Sequence, residues 1–300
     1  LPDKASGTLR MYNTLKQMIA LGWRVTYVHL VGKNVGESAD KYMKELRGMG
    51  VEFIWFEYEA WWEQRNNPDV KNIHERLISS LELRKRKPEV VYLSFWHVAN
   101  YFIDFVRAAL PTVPIVIDTH DIHYLRETRQ AELLNDDTLR AAAKRNKKKE
   151  LETYAKSDCV TTVTEKDREI LQKDLPNKAI FLMTNVHDHV HTIHGFETRR
   201  DFLFVGNFNH NPNEDAVVFF VEKIFPRIRR EVAGAQFLIV GNNPTPKVKA
   251  LACDDVIVTG WVPEVKPYLE QARVSVVPLR YGAGVKGKVG ETFAHGLPTV

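Results

Sequence analysis

The stretch FLFVGNFNHNPNEDAV, residues 202–217, contains the pattern that decides the fold. It begins with an apolar run, 202–206, that ends in glycine. A polar, turn-forming loop follows, and a helical pattern begins near residue 214 and extends to 231. An apolar run, a glycine loop and a helix in this order are typical of a buried parallel strand and its crossover helix.

The same alternation continues along the chain on both sides of this stretch. Amphipathic segments separate the strand-like runs; one of them, 8–22, stops at Gly22, a residue typical of helix ends. The other runs rich in β-branched and aromatic residues lie at 25–31, 51–58, 90–95, 115–120, 159–164, 180–186, 236–241, 256–262 and 274–280. We therefore predict an α/β protein with two Rossmann-like, doubly wound domains that face a cleft.

One interruption divides the predicted domains. Residues 187–201, HDHVHTIHGFETRRD, are polar, rich in histidine and without clear periodicity, so we predict an interdomain linker between domains 1–186 and 202–300. The chain opens on a loop and helix with no strand ahead of them, and it stops where a further strand begins. We therefore expect that both domains are truncated at the chain ends.

Composition narrows the classes of protein that are possible. Apolar residues make up 44% and charged residues 27% of the 300 residues, the balance of a soluble globular protein. A formal net charge of +4 is too small to indicate nucleic-acid binding, and no apolar run is long enough to span a bilayer. The cysteines, Cys159 and Cys253, suggest no disulfide framework, so we expect a cytoplasmic protein.

Two basic clusters, Arg84–Lys87 and Lys144–Lys149, stand out from this mild charge. Charge runs of this kind usually form solvated helix faces. Alternatively, they contact anionic lipid headgroups, where each Lys or Arg contributes about 1 kcal/mol. The second reading predicts a peripheral protein at the inner face of a membrane.

The closing stretch YGAGVKGKVGETFAHGLPTV, residues 281–300, has the chemistry of a diphosphate site. Its glycines allow close backbone approach, Lys286 and Lys288 supply positive charge, and a helix that starts near Lys288 adds its positive end. Glu291, one turn into that helix, would repel phosphate, but a carboxylate accepts hydrogen bonds from the vicinal hydroxyls of a ribose. The combination predicts a nucleotide-sugar ligand.

Other candidate residues follow predicted strands, because ligands of doubly wound sheets collect at the carboxyl ends of strands. Gly206, Asn207 and His210 form a polar loop before a helix N-terminus, which binds anions through backbone amides. His120 ends the fourth predicted strand, and Gly7 lies in a loop before the first helix. Each of these has an ordinary structural alternative: turn residues, a satisfied histidine and a helix cap.

These motifs resemble the retaining glycosyltransferases of the GT-B fold called group 1 or family 4. The resemblance is carried by FLFVGNFNHNPNEDAV and by the segment from VIVTGWV (256–262) to the end of the chain. The first domain matches more weakly, through SGT (6–8), THD (119–121) and TNVHD (184–188). The resemblance implies transfer of a sugar from a nucleotide donor to a hydroxyl acceptor, with retained anomeric configuration and without a cofactor or metal ion.

The resemblance also implies roles for particular residues. The first domain would bind the acceptor, a glycan, a lipid-linked sugar or another hydroxyl compound, and the second the nucleotide-sugar. Glu291 would hold the ribose, and Lys288 would neutralise the leaving diphosphate. The backbone of Gly284, Val285 and Lys286 would face the sugar and phosphate, His120 would lie beside the transferred sugar, Gly7 would approach phosphate or acceptor, and Gly260, Trp261 and Val262 would line the nucleobase pocket.

The sequence departs from the family pattern at two places. Ala283 stands where the family usually has a glutamate, eight positions before Glu291, and the usual Arg and Lys are missing after the strand at 202–206. Two alternatives therefore stay open: a catalytically silent sugar-nucleotide-binding module of a larger protein, and a sugar-nucleotide epimerase.

Two further segments carry candidate sites. The linker histidines are a weaker candidate for a Zn²⁺ site: His187, His189, His191 and His194. An aromatic loop at 57–69 is a candidate acceptor contact.

Overall fold

The computed structural model describes residues 6–29, 37–55, 83–192 and 194–300. The strands of the described chain are β1 Thr26–His29, β2 Glu52–Trp55, β3 Val91–Ser94, β4 Ile115–Asp118, β5 Cys159–Thr162, β6 Ala179–Leu182, β7 Arg200–Val205, β8 Phe237–Val240, β9 Val256–Gly260 and β10 Ala272–Ser275. The α-helices are α1 Ser6–Ala20, α2 Glu37–Gly48, α3 Leu83–Arg86, α4 Trp96–Ala109, α5 His123–Leu134, α6 Asp137–Lys156, α7 Glu165–Asp174, α8 Asn211–Phe219, α9 Phe225–Glu231, α10 Pro246–Lys249, α11 Lys266–Gln271 and α12 Gly287–Ala294.

Every named strand pairs in parallel, which confirms the predicted α/β architecture. In the first part of the chain β1 pairs with β2, and a four-stranded sheet has the order β3-β4-β5-β6. The second part has the order β10-β7-β8-β9. Buried apolar residues fill these sheets; β8 is buried along all four of its residues, as expected for a strand covered on both faces.

The chain divides into two compact units. The first contains Gly7–His123 and Arg145–Thr184, and the second contains Tyr124–Lys144 and Asn185–Val300. The division after Thr184 lies close to the boundary predicted after residue 186. The segment Tyr124–Lys144 is grouped with the second unit, where Arg129 donates a hydrogen bond to the backbone carbonyl of Gly282. Such a contact between residues distant in sequence has no local signal.

Three local predictions need correction. The first helix begins at Ser6, so Gly7 lies in its first turn rather than in a preceding loop. Strand β7 begins at Arg200, inside the range predicted as linker. One turn of π-helix, Phe220–Ile224, separates α8 from α9 within the helix predicted near 214–231. The aromatic loop at 57–69 lies outside the described residues.

The segment predicted as a linker belongs to the second unit and is hydrogen-bonded within it. Arg199 is 2% exposed and donates to the backbone carbonyls of Leu269 and His295, both at 2.9 Å. The backbone N–H of Val190 donates to the carbonyl of Ala294 at 2.9 Å. These bonds attach the segment that precedes β7 to the C-terminal ends of α11 and α12.

Candidate donor site

The strand order of the second unit determines where a ligand fits. Numbered within this unit, the sheet reads 3-2-1-4, the arrangement of a doubly wound nucleotide-binding fold. In such sheets ligands bind outside the carboxyl ends of the strands at the point where the order reverses, here between β7 and β10. The loop 206–210 follows β7, and the glycine-rich loop 281–286 follows the segment after β10. Both predicted loops therefore leave the sheet on the two sides of this switch point.

Two contacts attach the segment after β10 to helix α8. Arg280 forms an ion pair with Asp215, with one nitrogen–oxygen distance of 2.9 Å. Further along, the Lys288 ammonium donates to the side-chain oxygen of Asn213 at 2.8 Å. Both acceptors lie on α8, which begins directly after the loop 206–210. The two candidate loops are thus brought together by side chains.

Lys288 is buried, and its ammonium group is in contact with neutral groups. Its ammonium nitrogen is 3.6 Å from the centroid of the Phe204 ring, a cation–π contact. Burial, together with the nearby positive charge of Lys286, holds the pKa of Lys288 well below its ordinary value, while Glu291 acts in the opposite direction. No carboxylate among the described residues forms an ion pair with this ammonium group. Asn213 and the Phe204 ring, which contact the ammonium group, are neutral, and the Glu291 carboxylate acts on it from one helical turn away.

Glu291 lies one helical turn after Lys288 on α12 and is partly buried. Burial raises the pKa of Glu291, and the positive charge of Lys288 opposes that increase. The carboxyl group has no hydrogen-bond partner among the residues that the structure describes. A partly buried carboxyl without a partner is suited to accept hydrogen bonds from ligand hydroxyls.

The glycine-rich loop has the backbone conformations that its sequence predicts. Gly282 and Gly284 have φ angles of +150° and +70°, which L side chains rarely adopt. Lys286 bends back and donates to the carbonyl of Ala283 at 3.0 Å, and it precedes the first residue of α12. Val285 is partly buried. The ammonium of Lys286 therefore has a backbone partner at the position where a family glutamate was expected.

The loop after β7 is shaped by a close backbone approach. A Cβ on Gly206 would lie 2.8 Å from the Phe204 ring and 2.9 Å from the Asn213 amide nitrogen. The carbonyl of Asn207 accepts a hydrogen bond from that same amide at 2.7 Å. His210 is exposed and precedes α8 without capping it through its side chain. Gly206 is thus required for packing, and Asn213 holds the loop in place.

The third predicted group follows β9. Gly260 ends the strand with a φ angle of +71°, and its carbonyl accepts a hydrogen bond from Gly241 at 3.0 Å. Trp261 is 49% exposed, whereas Val262 packs against the buried cluster that contains Leu203. The ring of Trp261 is thus half exposed at the end of β9, and Val262 has a packing role.

Two of the predicted residues lie together in the first unit. A Cβ on Gly7 would lie 3.3 Å from Nδ1 of His120. The imidazole is stacked on the Phe95 ring with a centroid distance of 4.0 Å, and both residues have positive φ angles. His120 lies two residues after the end of β4, which stops at Asp118 rather than at residue 120 as predicted, and Phe95 directly follows β3. A search for residues placed directly after strands could have found Phe95, but its polarity gave no reason to select it.

His120 is held by a buried ion pair that sequence reasoning did not predict. Its Nε2 lies 3.3 Å from a carboxylate oxygen of Asp118, which pairs with Arg10 at 2.9 Å. Burial lowers the pKa of His120, although Asp118 acts in the opposite direction. Neither ring nitrogen of His120 makes a hydrogen bond within the described part of the chain. Burial thus favours the neutral imidazole, whose ring nitrogens make no hydrogen bond with the described residues.

The linker histidines show no metal-binding geometry. Within 6–29, 37–55, 83–192 and 194–300, no group of three or more His, Cys, Asp or Glu side chains could hold a metal ion. The His187 ring instead packs against Gly290, where a Cβ would lie 2.4 Å from Cδ2 of the ring. No helix in the same ranges combines the length and apolar character that a membrane span requires.

Comparison with known families identifies the second unit. Residues 199–300 match the protein family described as Glycosyl transferases group 1. This segment is similar to the glycosyltransferases of that family. The match covers the sheet β7–β10, the loop 206–210 and the closing glycine-rich loop, so the predicted resemblance to group 1 glycosyltransferases is confirmed for these residues. No protein with a curated description matches the chain at the sequence level.

Solved glycosyltransferase structures are similar to this chain in fold. The lipopolysaccharide outer core galactosyltransferase WaaB aligns over 100% of this chain and 77% of its own, with a TM-score of 0.57 and 12% identity. A UDP-forming alpha,alpha-trehalose-phosphate synthase from Burkholderia xenovorans aligns over 91% and 81%, with a TM-score of 0.55 and 10% identity. TarM aligns over 70% of this chain at a TM-score of 0.55 and 15% identity, and the chain spans 40% of TarM. The fold is that of the GT-B glycosyltransferases.

Proposed function

We propose that this chain transfers a sugar from a nucleoside diphosphate donor to a hydroxyl acceptor, with retention of the anomeric configuration. The observation that carries the proposal is the contact between Lys288 and Asn213 at 2.8 Å, which joins two loops at the switch point of the sheet in the segment that matches the group 1 family. It combines a cation, a helix N-terminus and glycine-rich backbone at the position where doubly wound sheets bind diphosphates.

Lys288 has the main electrostatic role in this mechanism. Negative charge develops on the diphosphate as the bond to the anomeric carbon breaks, and preorganised donors in an enclosed site stabilise it. Burial disfavours the charged form of Lys288 in the free protein, and the negative charge of a bound diphosphate favours the ammonium form. Removing one such donor typically reduces the rate by about 10²–10³.

The remaining site residues orient the donor. Glu291 accepts hydrogen bonds from the ribose hydroxyls, and the amides of Gly284 and Val285 face the diphosphate. Trp261 contacts the base through its exposed ring. The loop Gly206, Asn207 and His210 contributes backbone amides at the N-terminus of α8.

His120 and Gly7 contribute from the first unit in this proposal. The neutral, buried imidazole offers a hydrogen bond to the transferred sugar, and the missing side chain of Gly7 leaves room beside it. No enzyme nucleophile takes part: the bond from the anomeric carbon to the diphosphate oxygen breaks, the acceptor oxygen bonds to the same face of that carbon, and the hydroxyl proton passes to the departing diphosphate. The reaction needs no metal ion, because Lys288 and the helix N-terminus supply the positive charge.

The named relatives indicate the classes of substrate to test. WaaB is described as a galactosyltransferase of the lipopolysaccharide outer core, and a TarM variant from S. aureus was solved with Fondaparinux, alpha-GlcNAc-glycerol and UDP. For this chain we propose a nucleotide-sugar donor and a glycan, lipid-linked sugar or other hydroxyl acceptor. The match to a transferase family favours transfer over epimerisation.

The test is turnover of a panel of nucleotide-sugars by the wild type, Lys288→Ala and Glu291→Ala. Release of nucleoside diphosphate from one donor, with both variants impaired, supports the transferase, and NMR of the product shows whether configuration is retained. Unchanged activity in EDTA supports independence from metal. Binding of a donor without cleavage, in the presence of candidate acceptors, would instead favour the silent binding module.

Peripheral membrane contact through the basic clusters is a separate proposal. Arg84–Lys87 lies on and after α3, and Lys144–Lys149 lies on α6. Some of this charge is already paired, Arg86 with Glu52 and Lys147 with Asp174. Co-sedimentation with vesicles that contain anionic lipid, lost at high salt and absent for neutral vesicles, supports the proposal; absence of binding to the anionic vesicles would overturn it.

A further inference from the structure

Asn213 is buried, 6% exposed, although it lies in the first turn of α8, where polar side chains usually reach solvent. Both the nitrogen and the oxygen of its side-chain amide form hydrogen bonds. The amide nitrogen donates to the carbonyl of Asn207 at 2.7 Å, and the amide oxygen accepts from Lys288 at 2.8 Å. One side chain therefore attaches the ammonium group to the loop that follows β7.

The other neighbours of the ammonium group are arranged to accommodate this amide. A Cβ at Gly206 would lie 2.9 Å from the amide nitrogen of Asn213 and 3.0 Å from its side-chain carbon, so glycine is needed for this side chain to fit. The Phe204 ring faces the ammonium on another side, at 3.6 Å from the ring centroid. Both direct partners of Lys288 are electrically neutral.

We propose that Asn213 is a positioning residue that fixes the Lys288 ammonium at the donor site with a neutral acceptor, leaving its positive charge for a diphosphate. An aspartate in this position would hold the lysine equally well but would neutralise it before the ligand arrived. The inference rests on the proposed function only where it names the diphosphate. The hydrogen bond between Lys288 and the uncharged amide of Asn213 can be tested in the protein without ligand.

The first measurement is the pKa of Lys288 in the ligand-free protein, followed by NMR of labelled lysine side chains and assigned with Lys288→Gln. The charged groups that act on Lys288 are Lys286 and Glu291, and α8 and β7 contribute only the neutral Asn213 and Phe204. Asn213→Asp places a carboxylate beside the ammonium and should raise the pKa of Lys288 by about one to three units.

Asn213→Ala is the comparison variant. It shows whether Asn213 acts on Lys288 through its hydrogen bond or only through the packing of the loop after β7. Without its acceptor the ammonium is less well stabilised, so the pKa of Lys288 should fall or stay constant, opposite to the aspartate variant. If both variants move the pKa in the same direction, the side chain acts only through the structure of the loop, and the proposal is overturned. Asn243→Asp, an exposed asparagine on the loop after β8, controls for the added negative charge.

The second measurement is calorimetric binding of UDP, GDP and ADP. Asn213→Asp should weaken binding of the preferred diphosphate by about tenfold to a hundredfold, the effect of losing one charge-assisted contact, and it should weaken it more than Asn213→Ala. Wild-type affinity in Asn213→Asp would overturn the inference while leaving the proposed function intact. If the wild type binds none of these ligands, the proposed donor site is wrong. The NMR comparison still decides whether the neutral amide of Asn213 positions the Lys288 ammonium group.

Discussion

The backbone of Gly241 crosses that of Gly206 so closely that a Cβ on Gly241 would lie 1.7 Å from the carbonyl oxygen of Gly206. The two glycines end neighbouring strands, and the N–H of Gly206 donates to the carbonyl of Val240 at 3.0 Å. Gly241 also has a φ angle of +149°. The loop that carries the proposed anion-binding amides therefore depends on a glycine in the adjacent strand.

Gly241→Ala should be among the most destabilising single substitutions in the second unit. A clash with backbone cannot be relieved by a rotamer change, and the φ angle adds strain, so we expect a loss of about 3 kcal/mol or more in the free energy of unfolding. Chemical denaturation measures it. Gly234→Ala is the matched control, because its φ angle is +73° but nothing lies within 4 Å of the added Cβ; it should cost only about 1–2 kcal/mol. Equal losses of unfolding free energy in Gly241→Ala and Gly234→Ala would contradict the close approach of the Gly241 and Gly206 backbones.

Gly290→Ala should destabilise the protein only while His187 is present. An alanine Cβ would lie 2.4 Å from the imidazole of His187. Elsewhere in a helix, replacing glycine by alanine is favourable by about 0.5–1 kcal/mol. In a His187→Ala background the substitution should therefore become neutral or stabilising. A double-mutant cycle by urea denaturation measures this change of sign, and simple additivity of the two substitutions would refute the contact.

Arg199 should be difficult to replace even by lysine. Its guanidinium donates to four backbone carbonyls, those of His194, Leu269, Ala272 and His295. Lysine cannot satisfy them in the same geometry, and each buried acceptor left without a donor costs about 1–3 kcal/mol. We expect Arg199→Lys to lower the free energy of unfolding by about 2–4 kcal/mol. Arg200→Lys, at an exposed neighbouring position, should change it by less than about 0.5 kcal/mol.

Because the His120 imidazole is buried, we expect the stability of the protein to depend on pH. Burial lowers its pKa below the ordinary value of 6.5, so folding favours the neutral imidazole. Its contribution is therefore complete above pH 6.5 and is lost progressively as the pH falls toward the lowered pKa of the folded protein. His120→Asn, which tolerates a positive φ angle, should flatten the decrease in stability between pH 7.5 and 5.5, two values that bracket about 6.5. Unfolding curves at both pH values test this, with the exposed His189→Asn as control; an unchanged slope in His120→Asn would contradict the burial of a neutral ring.

Most of the fold could be predicted from local sequence patterns. Buried parallel strands are apolar on both parities, as in 237–240, and each named strand of the structure lies in or next to a predicted run. Glycine at 282 and 284 predicted the positive φ angles of the closing loop. The helix that starts at Gly287 follows from the same motif.

The contacts that organise the site could not be predicted in this way. Asn213 is one of several asparagines in a polar loop, and only the structure shows that its amide joins Lys288 to Asn207. The ion pair of Arg10 with Asp118 spans 108 residues, and the sequence offers no signal for such a pairing. The packing of Arg199 likewise depends on the C-terminal ends of two helices that are distant in sequence. Sequence patterns locate the helices and strands. The contacts of these side chains, in contrast, depend on how the helices and strands pack against one another.

We propose above all that the closing loop, residues 281–286, binds a diphosphate together with Lys288. The most direct test is the affinity of the wild type and of Lys288→Met for UDP, GDP and ADP by calorimetry at two salt concentrations. Methionine retains the length of the side chain without its charge. The account predicts that the wild type binds one nucleoside diphosphate, that Lys288→Met weakens this binding by about tenfold to a hundredfold, and that both remain folded. Equal affinity of the two proteins, or no binding by the folded wild type, would contradict it.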